Sequence, residues 1–406
     1  MDRRELAAWL RLTLTPGVGN RAARKLLAAF ALPEAVHEQT RSSLTLVVGA
    51  ALADALAARP ERLDQQVDAT WDWLQRRDGA DDPCRQIVAL GDPRYPRCLL
   101  DIDDPPLLLY LLGHADLLEH TPLSADESTG AAPDSINARL RRSIAVVGSR
   151  NPTPQGAINA RQFARALGES GLVIVSGLAL GIDAAAHEGA IDAAVATGRT
   201  FATVAVVGTG LDRVYPKAHR DLAHRIARRG MIVSEYPLGT APHAANFPQR
   251  NRIIAGLARG ALVVEAALRS GSLITARLAA EQGKDVFAIP GSIHSIQSHG
   301  CHALIRQGAK LVESARDVLE DLEPDVDAAA PSEPAAAPVR TSSAAGNAAA
   351  DDPVLRALGH DPCGLDALQA RTGLTTAELQ ARLMALELEQ TVARLPGGLF
   401  QRMHQG

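Results

Sequence analysis

The sequence has few aromatic residues and few cysteines. Phenylalanine, tyrosine and tryptophan make up 3% of the 406 residues, so the core must be built mainly from Ala, Val, Leu and Ile. The four cysteines form no C-x-x-C pair, which argues against both a disulfide framework and a zinc ribbon. We therefore expect a reduced protein with an aliphatic core.

Signals for membrane insertion and export are lacking as well. No apolar run approaches the roughly 20 residues that span a bilayer. The charged, amphipathic N-terminus contains neither the hydrophobic region nor the cleavage site of a signal peptide. We expect a cytoplasmic protein with no membrane partner, and its length predicts two or three domains.

Several catalytic motifs are missing. There is no G-x-x-x-x-G-K-[ST] loop, no G-x-G-x-x-G after the first candidate strand and no G-x-S-x-G elbow. His294, His299, Cys301 and His302 are close in sequence, but their spacing matches no standard zinc pattern. The sequence thus predicts no catalytic residue, no metal site and no cofactor.

The charges are distributed unevenly along the chain. Residues 139–318 carry 22 Lys and Arg against 12 Asp and Glu, although the whole chain has a net charge of −4. A basic centre between acidic ends is typical of a protein whose centre binds a polyanion. Solvation of helix faces is an equally acceptable explanation of the charge pattern alone.

Composition divides the chain into four parts. The first has helical spacing of leucines, the second alternates strands and helices, the third is rich in Ala, Pro and Ser, and the last is a small separate module. A polar stretch within the second part reads as a mobile insertion at 119–139. The predicted parts are 1–70, 71–318, 319–352 and 353–406.

The second part predicts a doubly wound α/β sheet. Its candidate strands are rich in Val and Ile without polar alternation, as in parallel strands that are covered on both faces. Each is followed by a Gly-, Ser- or Pro-containing turn and a segment long enough for a helix. The candidate strands are 144–148, 172–177, 203–208, 231–235, 261–266 and 286–291.

Small residues and arginines follow these strands. In a doubly wound sheet, ligands bind outside the carboxyl ends of the strands, and exposed amides at helix N-termini favour anions. Arg150 follows the first strand, Lys217 follows the third, and Phe247, Arg250 and Arg252 lie close together. Arginine can bind phosphate bidentately while an aromatic ring stacks on a base. This pattern predicts a ligand that carries phosphate.

Structural alternatives remain open for these residues. Phe247 could belong to the core, and the arginines could pair with Glu235 or Glu265. His187 follows Asp183 by about one helical turn, and a structural contact between them is favoured over an acid–base pair.

The central motifs resemble the DNA-processing protein A (DprA/Smf) family. They occur in the family's order and cover nearly all of residues 144–310. The pair FPQRNRIIAGL and SGSLITA is highly specific. The other matching segments are IAVVGSRNPTPQG, VIVSGLALGIDAAAHEGAI, VAVVGTGLDRVYP, IVSEYPLGT, VFAIPGS and GCHALIRQGA.

This resemblance implies an extended Rossmann-like domain that dimerises and binds single-stranded DNA in a basic pocket. It also implies that the protein is not an enzyme, protects incoming strands in natural transformation and loads RecA on them. His219 and His302 stand where the family commonly has Asn, and Ala258 replaces a frequent Ser. The implied DNA contacts are Arg150, Ser176, Gly177, Lys217, Phe247, Arg250, Asn251 and Arg252.

The two ends of the chain resemble small DNA-binding folds. The break at residues 15–19 between two helices resembles a SAM-like or helix-hairpin-helix domain, in which a DNA contact and a simple tight connection both stay open. The last part resembles a winged helix. Its second helix carries Glu378, Glu387 and Glu389 against Arg382, so a protein contact is at least as well supported as DNA binding.

Two other functions are weighed against DNA binding. A nucleotide-processing enzyme, such as the related phosphoribohydrolases, would carry P-G-G-x-G-T-x-x-E after a strand, but the one PGG stands at 396–398 in the last part. A protein-interaction scaffold would use the winged helix and the acidic ends, and partner binding would survive loss of the central arginines.

Overall fold

The computed structural model describes residues 1–76, 83–114, 136–322 and 352–403, apart from 360, 361, 390 and 396. Most of the predicted insertion and linker therefore lies outside the described residues. The end of the insertion, 136–139, is helical, and 319–322 complete a helix because Val318 and Leu322 are buried. Within these ranges, no helix has the length and apolar character required to cross a membrane.

The N-terminal part is helical, as predicted, and residues 15–19 separate its first two helices. These helices share a core with two strands of the central sheet, where Trp73 meets Tyr110 edge-on at 6.3 Å between ring centroids. The predicted boundary at residue 70 falls inside the sixth helix. The helices are α1 Arg3–Leu14, α2 Asn20–Phe30, α3 Pro33–His37, α4 Arg41–Val48, α5 Ala50–Ala57 and α6 Leu63–Gln75.

The central sheet has nine described strands in the order β1-β2-β6-β5-β4-β3-β7-β8-β9. The strands from β3 onward pair in parallel, and β1 and β2 add an antiparallel edge beside β6. All six predicted strands are confirmed as β3 to β8. The strands are β1 Cys84–Ala89, β2 Leu108–Gly113, β3 Ser143–Val147, β4 Val173–Ser176, β5 Thr203–Val206, β6 Gly230–Ser234, β7 Gly260–Val263, β8 Asp285–Ala288 and β9 Lys310–Leu311.

Helices cover both faces of this sheet. Successive strand residues alternate between two cores, with Val146 in one and Val147 in the other, so the Rossmann-like prediction is confirmed. Helices α8 and α9 approach closely because Gly189 has no side chain: a Cβ there would lie 2.1 Å from the Arg161 carbonyl oxygen. The helices are α7 Ile136–Leu140, α8 Pro154–Glu169, α9 Ile182–Thr197, α10 Arg220–Arg229, α11 Asn246–Leu257, α12 Ser272–Glu281, α13 His299–Arg306 and α14 Ala315–Leu322.

The C-terminal part is a winged helix, as predicted. The Thr375 hydroxyl accepts from the Glu378 amide, and the Glu378 carboxylate accepts from the Thr375 amide, which caps the second predicted helix. Gly373, with a φ of +71°, ends the first predicted helix in the left-handed region. The elements are α15 Pro353–Leu358, β10 Cys363–Gly364, α16 Leu365–Thr372, α17 Thr376–Leu388, β11 Val392–Leu395 and β12 Leu399–Arg402.

Candidate nucleic-acid interface

A cavity of about 450 Å³ lies at the carboxyl ends of β3 and β7, and we call it the carboxyl-edge cavity. Because β3 is placed between β4 and β7, the strand order reverses direction here. Such a switch point is where doubly wound sheets bind ligands. Residues 148–151 after β3, residues 269–272 at the start of α12 and the start of α11 line the cavity.

Phe247 forms an aromatic wall at the start of α11. The Asn246 side-chain amide donates to the Gly208 carbonyl at 3.0 Å, which anchors the helix start over the end of β5. The Phe247 ring is 5.6 Å from the ring of Tyr215, centroid to centroid, and the Arg150 guanidinium lies 5.5 Å from the Phe247 ring centroid. Phe247 is half-buried, so part of its ring remains available for a planar ligand.

Arg250 lines the same cavity with a buried guanidinium group. The residue is 4% exposed, and its Nη2 donates to the Gly177 carbonyl at 2.8 Å. Its Nε has no hydrogen-bond partner, and no carboxylate of the described residues lies within ion-pair distance. Burial lowers its pKa. A Cβ at position 177 would lie 1.9 Å from Nη1 of Arg250, so glycine is needed there for the guanidinium to keep this position.

A buried polar network lies beside Arg250. Burial raises the pKa of Asp183, which also lines the cavity, while the charge of Arg250 acts in the opposite direction. The His187 Nδ1 is 2.7 Å from the Thr203 hydroxyl, and burial lowers the pKa of His187 to about 3. The predicted contact between His187 and Asp183 is therefore wrong as a hydrogen bond: the imidazole turns toward β5.

Four of the eight predicted DNA contacts line the cavity, and these are Arg150, Phe247, Arg250 and Asn251. The Asn251 side-chain amide donates to the Gly271 carbonyl at 3.1 Å, which connects α11 to the turn before α12. Gly177 takes part through its carbonyl oxygen, which holds Arg250. These five predicted residues come from three separate segments of the chain, at 150, 177 and 247–251.

The side chains of Ser176, Lys217 and Arg252 do not line the cavity. The Ser176 hydroxyl is buried and donates to the Val146 carbonyl at 2.7 Å, while Lys217 is exposed on a one-turn helix. Arg252 points the other way and forms ion pairs with Glu235 and Asp104.

The alternative pairing of an arginine with Glu235 is thus confirmed for Arg252. Glu265 is not an arginine partner, because its carboxylate accepts from the amide and the hydroxyl of Thr153. These two bonds fix the start of α8 next to the cavity. Burial raises the pKa of Glu265, and the two bonds from Thr153 oppose that rise.

Sequence reasoning missed Arg269 and Gln297 as cavity residues. Arg269 directly precedes the Ser-Gly-Ser turn, whose Ser270 and Ser272 hydroxyl oxygens are 2.7 Å apart. Its place next to a phosphate-suited turn was a usable signal. Gln297 carried none, because it is remote in sequence and reaches the cavity by donating to the Asn151 carbonyl at 2.9 Å.

The histidines near α13 have structural partners. His299 Nε2 lies 2.9 Å from the Ile293 carbonyl oxygen, and His302 Nε2 lies 3.0 Å from that of Gly291. Burial raises the pKa of the Cys301 thiol to about 12. Over the ranges that the structure describes, no three His, Cys, Asp or Glu side chains come together as metal ligands.

The winged helix has different surface chemistry from the cavity. On α17, Arg382 forms an ion pair with Asp352, whose side chain is 2% exposed. Met384 and Leu388 on the same helix are 66% and 79% exposed, and Glu378 and Glu387 are exposed as well. The exposed surface of α17 is therefore apolar and acidic.

Known proteins match both the central and the C-terminal parts. The family model of DNA recombination-mediator protein A matches residues 134–323, and that of the DprA winged helix domain matches residues 328–398. The chain is 38% identical to Protein Smf of Synechocystis sp. over 341 residues, which is 78% of this chain and 80% of that protein. It is 47% identical to the DNA processing protein DprA of Streptococcus pneumoniae over 232 residues, or 57% of this chain and 72% of that protein.

A solved structure agrees with these matches. The X-ray structure of DprA from Streptococcus pneumoniae superposes with a TM-score of 0.60 and 38% identity, and the alignment covers 79% of this chain and 98% of that chain. The motifs quoted from residues 144–310 and the observed sheet point to the same family. The chain therefore belongs to the DNA-processing protein A (DprA/Smf) family of DNA recombination mediators.

Proposed function

We propose that the carboxyl-edge cavity binds single-stranded DNA. In this proposal Arg250 binds a backbone phosphate, Arg150 binds a second phosphate at the rim, and Phe247 stacks on a base. Asn251, Gly177 and the residues around them hold this arrangement in place. Ser176, Lys217 and Arg252, which the family resemblance also implied, have at most indirect roles.

The main support for the proposal is that Arg250 is buried without an ion pair to any described residue. A guanidinium that is 4% exposed should have an anionic partner, because an uncompensated buried charge is costly. Among the described residues, its one hydrogen bond goes to the neutral Gly177 carbonyl, and its Nε has no partner. A phosphate in the cavity would accept from the remaining donors in the fork geometry that guanidinium provides.

The aromatic wall favours single-stranded nucleic acid over a free anion. Phe247 and Tyr215 stand together at the rim in a protein with few aromatic residues, and Arg150 lies over the Phe247 ring. Stacking of bases on such rings tolerates any sequence, and a base within a duplex is not available for it. We therefore expect weak sequence preference and a strong preference for the single strand.

We base the proposed cellular role on the family to which the chain belongs. The protein would act as a cytoplasmic homodimer that protects incoming single strands in natural transformation and loads RecA on them, without catalysing a reaction. The exposed side chains of Leu268, Ile293 and Ile296 offer apolar surface for self-association. A nucleotide-processing activity is the competing function, and release of a free base from a nucleoside monophosphate would support it.

The first experiment is fluorescence anisotropy with labelled oligo-dT and a matched duplex across a salt series. We expect tighter binding of the single strand, with an affinity that falls steeply as salt rises because phosphate contacts release counterions. Arg150→Ala should weaken binding while circular dichroism stays unchanged, since Arg150 is exposed. Absence of binding at low salt, or equal binding by Arg150→Ala, would contradict the proposed site.

A further inference from the structure

A second and larger cavity, of about 710 Å³, lies at the opposite edge of the sheet. It is formed where β3, β7 and β8 begin, and we call it the amino-edge groove. A five-residue strand separates the two edges by about 15 Å, so one ligand group cannot occupy both cavities. Residues that define the groove are Arg97, Leu100, Leu140, Arg141, Arg259 and Lys284.

Three arginine side chains of the groove have no ion-pair or hydrogen-bond partner among the described residues. The guanidinium groups of Arg97, Arg141 and Arg259 form no ion pair or hydrogen bond with any residue that the structure describes. Other exposed arginines of the central part do form ion pairs: Arg161 pairs with Asp192, and Arg165 pairs with Glu169. Ion pairs therefore account for some of the central basic residues, but for none of the three arginines in this groove.

Lys284 has a structural role in the groove. Its Nζ donates to the carbonyl oxygens of Ala255 and Gly256, at 2.7 and 2.9 Å, near the end of α11. Burial lowers the pKa of Lys284. Asp101 and Asp285 also line the groove and leave it with an excess of positive charge. The three exposed arginines are consequently the groups available to a ligand.

The floor of the groove is apolar and aliphatic. Leu140, Leu257 and Ala258 are buried along it, and Leu100 is 53% exposed at its side. None of the described residues that line the groove is aromatic, so they provide no stacking surface of the kind proposed for single-stranded DNA in the carboxyl-edge cavity. A free phosphate would leave the apolar floor unused.

We propose that the amino-edge groove binds an acidic peptide segment of a partner protein, one in which carboxylates alternate with aliphatic side chains. The carboxylates pair with Arg97, Arg141 and Arg259, and the aliphatic side chains cover Leu100 and the floor. Because the groove lies at the other edge of the sheet, this partner binds while the carboxyl-edge cavity holds its own ligand.

The test uses the full chain and three fluorescein-labelled peptides in anisotropy titrations. One peptide alternates Asp and Leu, the second replaces Leu by Ser, and the third replaces Asp by Lys. We expect salt-sensitive binding of the Asp/Leu peptide, weaker binding of the Asp/Ser peptide and none of the Lys/Leu peptide. The double variant R141E/R259E should weaken Asp/Leu binding about tenfold or more.

A matched variant separates the groove from general charge effects. The double variant R225E/R228E makes the same change of charge at two exposed arginines of α10 that do not line the groove, and it should leave peptide binding unchanged. A second groove variant, Leu100→Ser, removes exposed apolar surface at the side of the groove without changing its charge, and it should also weaken binding. Failure of the Asp/Leu peptide to bind, or equal losses in the α10 and groove variants, would overturn the proposal.

Oligo-dT binding by R141E/R259E distinguishes this proposal from the proposed function. Unchanged oligo-dT affinity together with lost peptide binding supports a peptide groove. A loss of oligo-dT affinity without any peptide binding would mean that the groove binds nucleic acid instead, and would overturn the peptide proposal.

Discussion

The Rossmann-like domain and the winged helix each place an arginine on a helix that could contact DNA. These two arginines, Arg250 and Arg382, differ in whether a carboxylate neutralises their charge. Arg250 on α11 is buried and forms no ion pair with a described carboxylate, although the Asp183 carboxyl lies near enough to act on its pKa, whereas Arg382 on α17 is paired directly with Asp352. The pairing neutralises Arg382 and leaves the exposed surface of α17 apolar and acidic. A fold that often binds DNA is thus not sufficient evidence for binding; the balance of charges on its surface decides.

The largest effect is expected from Arg250→Ala. Removing a buried guanidinium that binds phosphate should weaken oligo-dT binding about 100-fold, or about 3 kcal/mol. Anisotropy measures the loss, and thermal unfolding checks the fold. Gly177→Ala is the matched variant: it keeps the charge but forces the guanidinium to move, because the added Cβ would lie 1.9 Å from Nη1. Wild-type affinity in both variants would remove Arg250 from the site.

Phe247→Ala should have the next largest effect. Loss of one stacked base costs about 2 kcal/mol, which corresponds to about 30-fold weaker binding. The salt dependence of binding should keep its slope, because no phosphate contact is removed. Phe247→Tyr keeps the ring and should bind nearly normally. A changed slope with unchanged affinity would show that Phe247 is not a stacking residue.

The third prediction concerns the network below Arg250. The pKa of His187 is lowered from 6.5 to about 3 in the folded state, so folding keeps the imidazole neutral. Its contribution to stability is fully present above pH 6.5 and is lost as the pH falls from 6.5 toward 3. The loss should reach about 1.4 kcal/mol per pH unit in that window.

Urea unfolding at several pH values measures this slope. His187→Asn should lower the free energy of unfolding overall, yet its pH slope below 6.5 should be smaller than that of the parent protein by about one proton. Comparing the two slopes cancels the contributions of the carboxylates that titrate in both proteins. Identical slopes would show that His187 already ionises in the folded state.

The smallest effect is expected from Arg382→Ala in the winged helix. Because Asp352 already neutralises Arg382, removal of the Arg382 side chain should change the oligo-dT dissociation constant by less than about twofold. The same titration that detects the Arg250 loss checks this value. A loss as large as that of Arg250→Ala would break the contrast between the two helices and return α17 to the DNA interface.

Particular elements show how far local pattern can predict this fold. The six buried parallel strands and the elements of the winged helix were predictable, because apolar runs, glycine turns and capping residues act within a few residues of the chain. Strands β1 and β2 were missed, since they extend the sheet as an antiparallel edge outside the repeating strand–helix pattern. Their place depends on packing against the N-terminal helices.

The residues of the candidate site were likewise predictable only in part. Arg150, Phe247, Arg250 and Asn251 were found from motifs next to strand ends, and they do line one cavity. Arg252 could not be separated from Arg250 by sequence. Residues two positions apart on a helix place their side chains on different faces. Only the tertiary structure shows that the face of Arg250 meets Gly177 and that of Arg252 meets Glu235.

By itself, the sequence determined the family, the parallel strands and the phosphate-suited turns, because these depend on local spacing and on motifs of consecutive residues. The tertiary structure decided which arginines are neutralised and which are left for a ligand. That choice depends on carboxylates distant in the chain, such as Asp352 for Arg382 and Glu235 for Arg252, and on the strand order that opens the cavity between β3 and β7. Charge compensation is a property of neighbours in space, which composition and periodicity do not report.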